Sequence, residues 1–274
     1  MEIKRITAFT EKEEKEILSL YEECQKAEGL SISFPCHELS SVYLLYEDAP
    51  QSGSKADSAK ETACPNVLSA ALGLLLPEFP DSGEPAECFA LTRPSRRQNG
   101  LFTALLDAAE EEYEDYELLF AIDHKSHGAV CALEALGAEP DSQEYFMECD
   151  LKALPAPDSL CRLRLRETEE DSETCLYEFF LQNVQTSGRS LSSPAALCRT
   201  KTFGSRACFY DFLVEAPLRG TGLGKEALLL VLGALRSRNC TGVFLHVSGG
   251  NLPAVSLYKK TGFRISETLS YYIY

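Results

Sequence analysis

The sequence has no long apolar run, and basic residues are few among its 274 positions. Its longest hydrophobic stretches, 67–76 and 227–235, fall short of the roughly 18 apolar residues that a membrane-spanning helix needs. Lysine and arginine total 26 against 42 aspartates and glutamates, which gives a formal net charge of -16. This balance argues against general binding to nucleic acids or anionic membranes, so an anionic ligand would need a local site.

The sequence also lacks the patterns of secretion and of structural cysteine pairing. Its start, MEIKRITAFTEKEE, has no basic segment followed by an apolar stretch, so we expect a cytoplasmic location. The 11 cysteines are odd in number and scattered, with no C-x-x-C pair and no histidine at zinc-finger spacing. We therefore expect reduced, mostly buried thiols and no metal site.

The length suggests two domains, and 45% hydrophobic with 25% charged residues is ordinary for a globular protein. In the first half, the residue pattern predicts a helix at 11–28, strands at 42–47, 67–76 and 88–92, a helix at 100–113, a strand at 117–122, a helix at 129–136 and a strand at 145–149. In the second half it predicts a strand at 161–166, helices at 168–183, 222–236 and 253–260, strands at 207–215 and 243–248, and an aromatic final strand. The polar stretch 51–65 and the serine-rich stretch 185–202 are predicted loops.

The two halves of the sequence repeat each other. RRQNGLF aligns with LRGTGLG, which pairs Arg97 with Arg219 at an offset of 122 residues. CALEALGAE aligns with SLYKKTGFR, which pairs Gly137 with Gly262 at an offset of 125. Nearly equal offsets favour a duplication, which we divide into a lobe at 1–151, a proline-containing linker at 152–160 and a second lobe at 161–274.

The segment FLVEAPLRGTGLGK runs from an alternating strand through a glycine-rich turn into a helix. Gly220, Gly222 and Gly224 allow backbone amides to face a ligand, and the positive end of the helix dipole lies beside them. The segment predicts a phosphate cradle, although a tight turn without a ligand is the alternative. It is not an ATP-binding Walker loop, because an arginine replaces that motif's first glycine and a glutamate follows its lysine.

A second segment, NLPAVSLYKKTGF, places Asn251, a short helix and Tyr258 before a glycine-phenylalanine stop. Together the two segments resemble the GNAT superfamily of acetyl-CoA-dependent N-acetyltransferases. The resemblance implies an α/β (α+β) fold with two tandem GNAT-like lobes, each a mixed central β-sheet flanked by helices. It is strong over 207–274 and weaker over 1–150.

The resemblance also implies roles for individual residues, with acetyl-CoA as the co-substrate. Phe212, Leu213 and Val214 would offer backbone groups to the pantetheine arm, which Asn251 would also contact. The Tyr258 hydroxyl would protonate the departing thiolate. The pyrophosphate would be held by Arg219, Gly220, Thr221, Gly222, Leu223, Gly224 and Lys225. One departure from the family pattern is that Ala216 stands where a proline is usual, with Pro217 one place later.

Two residues are candidates for the general base that removes a proton from the incoming amine. His246 is one candidate, and its alternative interpretation is a hydrogen-bonded histidine of the sheet. Glu215 is the other, with a solvated charge at a strand end as its alternative. Tyr258 itself has an alternative as an ordinary half-buried helix residue.

The first half keeps only part of the pattern. Phe102 occupies the place of the last glycine, while Ser126 and Leu133 stand where Asn251 and Tyr258 stand in the second half. The sequence therefore predicts a degenerate, non-catalytic first lobe. His124 and His127 do not form a metal-binding pattern.

These observations predict an acyltransferase whose second lobe moves an acetyl group from acetyl-CoA to a primary amine by direct attack. The acceptor would be a small molecule or a peptide, and the sequence identifies neither it nor the oligomeric state. The alternative is a non-catalytic module that binds or senses acyl-CoA. Retention of both Asn251 and Tyr258 favours the enzyme, because a pure binding module needs no acid.

Overall fold

A computed structural model describes residues 1–29, 34–48, 66–79, 82–154, 162–182 and 193–274. These residues form two compact units, the first comprising Met1–Ser142 with Leu269–Tyr274 and the second Gln143–Thr268. The predicted loop 51–65 and most of the predicted linker lie outside the described ranges. No helix in the described part of the chain is long and apolar enough to cross a membrane.

The first unit is a mixed sheet with helices. Its strands follow the order β1-β2-β3-β4-β5, and all neighbours are antiparallel except β4 and β5. The strands are β1 (Glu2–Ile6), β2 (Ser41–Asp48), β3 (Asn66–Leu75), β4 (Ala86–Thr92) and β5 (Leu118–Asp123), and the helices are α1 (Glu11–Glu28), α2 (Leu101–Glu110) and α3 (His127–Leu136).

The second unit repeats this plan. Its strands follow the order β7-β8-β9-β10-β11, and β10 and β11 form the parallel pair. The strands are β7 (Leu163–Glu169), β8 (Thr174–Leu181), β9 (Ala196–Phe203), β10 (Arg206–Val214) and β11 (Gly242–Ser248), and the helices are α4 (Leu223–Ser237) and α5 (Leu252–Lys260). The predicted mixed α/β fold in two repeated parts is confirmed.

The strand that ends each half of the sequence completes the sheet of the other half. Residues 144–150 of β6 (Glu139–Asp150) pair antiparallel with β11 in the second unit. Residues 269–273 of β12 (Arg264–Ile273) pair antiparallel with β5 in the first unit. The compact units therefore have other limits than the sequence repeat, and the predicted division at 1–151, 152–160 and 161–274 stays a prediction.

The predicted helix at 168–183 is wrong, because this segment forms the hairpin of β7 and β8. The Asp171 side chain closes the turn by accepting hydrogen bonds of 2.7 Å from the amides of Glu173 and Thr174. The acidic run that resembled a helix start is thus a turn stabilised by a side-chain acceptor. Beyond it, β8 buries Cys175, Tyr177 and Phe179 in strand alternation.

Besides β8, two further strands, β1 and β9, were not predicted. In β9 the burial alternates along the strand, with Ala196, Cys198 and Thr200 turned inward. The apolar Leu197 on the outward side and the polar Thr200 on the inward side obscured this period of two, within a stretch predicted as a loop. The nine cysteines in the described part of the chain are free thiols, of which six are buried.

Helix α4 packs its apolar face into the core of the second unit, and this packing holds the glycine-rich turn at the start of the helix in place. Its inward residues recur at helical spacing and pack into the core with β-strand residues such as Val243 and Leu245. The buried positions of the helix are Leu223, Ala227, Leu228, Val231, Leu232 and Leu235. Burial of Leu223 in the first turn anchors the start of the helix, and therefore the turn before it, against the sheet.

Candidate active site

The parallel strands β10 and β11 separate partway along their length. They pair only where Arg206, Ala207 and Cys208 face residues 242–244. A bulge between Tyr210 and Leu213 shifts the register with β9, and Asp211 adopts a positive φ of 52° there. In the described structure, the rest of β10 has no ladder with β11, so its edge offers backbone groups to a ligand. The predicted pantetheine contacts Phe212, Leu213 and Val214 all lie on this diverging segment.

The chain then turns sharply into α4 through a single 3₁₀ turn at Ala216–Leu218. Gly220 and Gly222 have φ of 75° and 87°, a region that favours glycine, and Gly222 is the N-cap of α4. Arg219 braces the turn because its Nε donates to the Val214 carbonyl at 2.9 Å. Thr221 Oγ1 does the same to the Leu218 carbonyl at 2.6 Å. Proline at 217 is accommodated within the 3₁₀ turn.

The backbone amides of residues 220–225 donate to no acceptor in the described part of the structure. The first amides of a helix have no partner within it, and the helix dipole places partial positive charge at the same end. Arg219 and Lys225 are exposed beside these amides. In a chain of net charge -16, this is a local site with the donors and the charge that a pyrophosphate requires.

Arg162 at the start of β7 belongs to the same site, although sequence reasoning missed it. Its Nη1 and Nη2 lie 3.4 Å from the Thr221 carbonyl, and Nη2 is 3.6 Å from the point where a Cβ on Gly222 would stand. Glu226 fixes this arginine by accepting from Nε at 2.9 Å, and also accepts from its backbone amide. Arg162 lies 59 residues from Thr221 in sequence, so no local motif connects the two.

Gly224 lies where the first turn of α4 packs against β10 and α5. A Cβ there would lie 3.5 Å from Val214 Cγ2, 3.6 Å from Leu257 Cδ2 and 3.9 Å from Phe212 Cε1. A Cβ would therefore make ordinary van der Waals contacts at this position, and atoms beyond it would meet β10 and α5. Leu223 is buried beneath the turn, so it acts through packing and its amide.

Tyr258 is buried on α5, with 7% of its surface exposed. Its ring packs edge-on against that of Phe209 of β10, with centroids 6.2 Å apart, and at a tilt of 56° against that of Phe263, with centroids 5.7 Å apart. Burial raises the pKa of its hydroxyl to about 12, so the group stays protonated at neutral pH. The contact with Phe209 places Tyr258 beside the strand that diverges from β11.

Asn251 caps α5, because its side chain accepts from the Ala254 amide at 3.3 Å. The cap sets the start of the helix that carries Tyr258. The predicted contact of Asn251 with pantetheine stays a prediction.

Neither of the two candidate bases belongs to the buried core that contains Tyr258. His246 is on the exposed side of β11, with its ring 5.0 Å from that of Phe146, whereas Leu245 and Val247 point into the core that includes Tyr258. Glu215 is exposed directly after β10. Their roles as bases stay predictions.

The first unit repeats the turn with different side chains. Arg97 has φ -63° and ψ 159°, close to the -64° and 150° of Arg219, and Gln98 and Gly100 have positive φ as Gly220 and Gly222 do. Gly100 is likewise the N-cap of its helix, α2. The backbone of the turn is therefore duplicated.

Phe102 stands at the position equivalent to Gly224, and its ring packs edge-on against Phe120 at 5.8 Å. In the repeat alignment, Ala90 and Ala132 stand where Phe212 and Leu257 contact the space at Gly224. Smaller side chains thus stand at both of these positions in the unit that has the phenylalanine. Among the described residues, no group of three or more histidine, cysteine, aspartate or glutamate side chains is placed to hold a metal ion.

Comparisons with known proteins agree with this geometry. Residues 145–263 match the model of the acetyltransferase (GNAT) family. A mycothiol acetyltransferase from Saccharomonospora viridis is 28% identical over 205 residues, which cover 70% of this chain and 60% of that protein. The chain thus matches less than two thirds of the length of this curated relative.

Solved structures show the same fold across nearly the whole chain. A GCN5-related N-acetyltransferase from Sphaerobacter thermophilus superposes with a TM-score of 0.69 at 15% identity, covering 99% of this chain and 95% of the other. A tandem GNAT protein from the clavulanic acid biosynthesis pathway gives 0.58 at 16% identity, covering 100% and 98%. Residues 145–263 therefore resemble the acetyltransferase (GNAT) family, and the whole chain has the fold of a tandem GNAT protein.

Proposed function

We propose that this chain is an N-acetyltransferase whose second lobe transfers an acetyl group from acetyl-CoA to a primary amine of a small molecule. The turn at 219–225 carries the proposal, because its unpaired amides, positive-φ glycines and basic side chains meet where β10 leaves β11. Arg162, Arg219 and Lys225 supply positive charge for the pyrophosphate. The free edge of β10 along 212–214 supplies backbone groups for the amide-bearing pantetheine arm.

Acetyl transfer by direct attack needs a neutral amine and a thiol that leaves with a proton. The amine nitrogen forms a bond to the acetyl carbon, the carbon–sulfur bond breaks, and the nitrogen loses one proton while the sulfur gains one. Tyr258 fits the donor role, because burial keeps its hydroxyl protonated beside the diverging strand. His246 or Glu215, or solvent, would take the proton from the amine.

The identity of the acceptor is a separate question. The names of the relatives point to small-molecule acceptors, as mycothiol acetyltransferase and glucosamine 6-phosphate N-acetyltransferase do. We propose a small primary amine on that basis, with amino sugars as the first class to test. The acidic chain is also compatible with cationic acceptors such as polyamines.

The test is release of free coenzyme A thiol on incubation of the purified chain with acetyl-CoA and a panel of amines. We expect thiol release that depends on both the amine and the chain, together with an acetylated amine of the matching mass. A matched control is the Gly222→Val chain, which should release no thiol above the uncatalysed rate. Binding of acetyl-CoA without transfer to any amine in a broad panel would favour the acyl-CoA-sensing alternative.

A further inference from the structure

In the first unit, Arg97 corresponds to Arg219 in more than sequence. Its Nε donates to the Thr92 carbonyl at 3.3 Å, as Arg219 Nε does to Val214. The two arginines thus share a backbone conformation and a brace to the end of the preceding strand. The two arginines differ in the partner of their guanidinium Nη1 and Nη2 atoms.

Glu28, the last residue of α1, forms a bidentate ion pair with the terminal guanidinium nitrogens of Arg97. Arg97 Nη1 lies 2.7 Å from Oε1 and Nη2 lies 2.9 Å from Oε2 of this carboxylate. The hydroxyl of Ser126 also donates to Oε2 at 3.1 Å. Both side chains are largely covered, with exposed fractions of 30% for Arg97 and 16% for Glu28. Arg219 has no acidic partner among the described residues.

The Glu28–Arg97 pair lies in the wall of a cavity of about 950 Å³ in the first unit. This volume is at the upper end of the range of small-molecule sites. Apolar side chains from β4, β5, α2 and α3 form much of the remaining wall, among them Ala90, Leu91, Phe102, Phe120, Ile122 and Leu133. The cavity also lies where β4 leaves β5, since these strands pair only over 86–88 with 118–120.

The charge of Glu28 decides which ligands this cavity accepts. A carboxylate that binds a guanidinium through both oxygens uses the same fork geometry as a phosphate group. Glu28 therefore occupies the donors that an anionic ligand would need, and its own charge repels such a ligand at close range. The carboxylate reaches the start of α3 as well, since Oε1 is 3.6 Å from the position of a Cβ on Gly128.

We propose that Glu28 closes an anion-binding cleft in the first unit, and that the cleft takes a pyrophosphate ester with an apolar arm once this carboxylate is neutralised. The proposal rests on the proposed role of the equivalent turn in the second unit. Glu28 is here a gating residue, because it acts by occupying Arg97.

The test uses calorimetric titration with coenzyme A, and with inorganic pyrophosphate to separate anion binding from binding of the whole ester. The Gly222→Val substitution first removes the site in the second unit. Glu28→Gln is then added, and Glu23→Gln serves as the matched control, because Glu23 lies on the same helix and pairs with Arg93 outside the Arg97 contact. We expect Glu28→Gln to bind about one equivalent of coenzyme A at least tenfold more tightly than the control. Adding Arg97→Gln should abolish that gain.

Equal coenzyme A affinity in the Glu28→Gln and Glu23→Gln chains would overturn the proposal. If only the affinity for inorganic pyrophosphate rises, the proposed anion site stands and the proposed binding of an apolar arm is wrong. If Gly222→Val alone still binds coenzyme A as the unmodified chain does, the proposed cradle in the second unit fails, and the stoichiometry of the Glu28 variant still tests the gate. Melting curves by circular dichroism monitor folding, and Glu28→Asp, which retracts the carboxylate, replaces Glu28→Gln if the latter unfolds.

Discussion

Removing the hydroxyl of Tyr258 distinguishes a packing role of this residue from a catalytic one. Tyr258→Phe keeps the ring contacts with Phe209 and Phe263 but removes the only proton that the side chain can donate. General acid catalysis contributes on the order of 100- to 10,000-fold, and a thiol leaves readily, so we expect a turnover loss of about 100-fold. Calorimetry should find acetyl-CoA affinity unchanged. Unchanged turnover, with chemistry limiting the rate, would make Tyr258 a packing residue.

The raised pKa of Tyr258 also predicts the shape of the alkaline side of the rate profile. Its value of about 12 means that the acid is protonated throughout the range from pH 7 to 10. Between pH 7 and 10, the turnover of the unmodified chain should therefore fall no more steeply than that of Tyr258→Phe.

The two candidate bases are distinguished by which variant, His246→Ala or Glu215→Gln, loses turnover in a pH-dependent way. If His246 accepts the proton of the amine, His246→Ala should lower turnover with little change in acetyl-CoA affinity, since the residue is on β11 and is not part of the turn at 219–225. The loss should shrink as pH rises, because more of the acceptor then arrives as the neutral amine. Glu215→Gln is the parallel variant. If only the glutamate variant shows this behaviour, the role passes to Glu215.

Features within one local motif could be read from the sequence, whereas contacts made by the fold could not. Gly220 and Gly222 have the positive φ that the turn motif predicts, and Tyr258 lies on the predicted short helix, while the ligand contacts of all three stay predictions. Arg162 was missed because it reaches Thr221 only through the register of β7 and its link to Glu226. The covering of Arg97 by Glu28 is equally non-local, since 69 residues separate the two.

At the scale of the element, the turns before α2 and α4 have the same backbone conformation, so the same substitution can be compared in both. Gly100→Val and Gly222→Val each force a β-branched residue into positive φ, at 73° and 87°, and each should cost about 1–3 kcal/mol of stability. Only Gly222→Val should abolish acetyl-CoA binding. Chemical denaturation measures the first effect and calorimetry the second. Loss of acetyl-CoA binding in the Gly100 variant would contradict the assignment of the site to the second unit.

The start of α1 depends on one buried carboxylate. Burial raises the pKa of Glu13, but hydrogen bonds from Lys4 and from the backbone and hydroxyl of Thr10 outweigh it and lower the pKa to about 2. Glu13→Gln should therefore destabilise the chain by about 2 kcal/mol at neutral pH. A depressed carboxylate stabilises the fold above its unfolded value, so the difference should vanish as pH falls from about 4.5 toward 2.

Glu11→Gln is the control for this variant, because it removes an equal charge from the same first turn of α1 at an exposed position. Urea unfolding at several pH values measures both variants. Equal stability losses for the two would show that the helix dipole, and not the contacts of Glu13, carries the effect.

Elements with a clear period were predicted within a few residues, and the failures have physical causes. Helix α1 lies at its predicted bounds because a capping box starts it and Gly29 ends it in the left-handed region. Strand β7 was predicted, but the turn after it and β8 were predicted as a helix, because the turn made by Asp171 has the same acidic composition as a helix start.

For the whole chain, the duplication was readable but its consequence for the sheets was not. Gly137 and Gly262, paired by the repeat, both end helices with positive φ of 82° and 99°. The exchange of β6 and β12 between sheets has no local signal, because a strand's own pattern shows which face is buried and not which neighbour it pairs with. Sequence thus predicted the strands of the parallel pair and the helices in each unit, but neither β1, β8 and β9 nor the neighbours of the last strands.

The number of acetyl-CoA sites tests how far the duplication extends to function. The two units share the backbone of the turn, yet the first has Phe102 for Gly224, Leu133 for Tyr258, and Glu28 bound to Arg97. Each difference either fills space or occupies donors that the second unit keeps open, so we expect one acetyl-CoA per chain by calorimetry. Two equivalent sites in the unmodified chain would show that these side chains move aside readily, and that the first unit shares the binding function of the second.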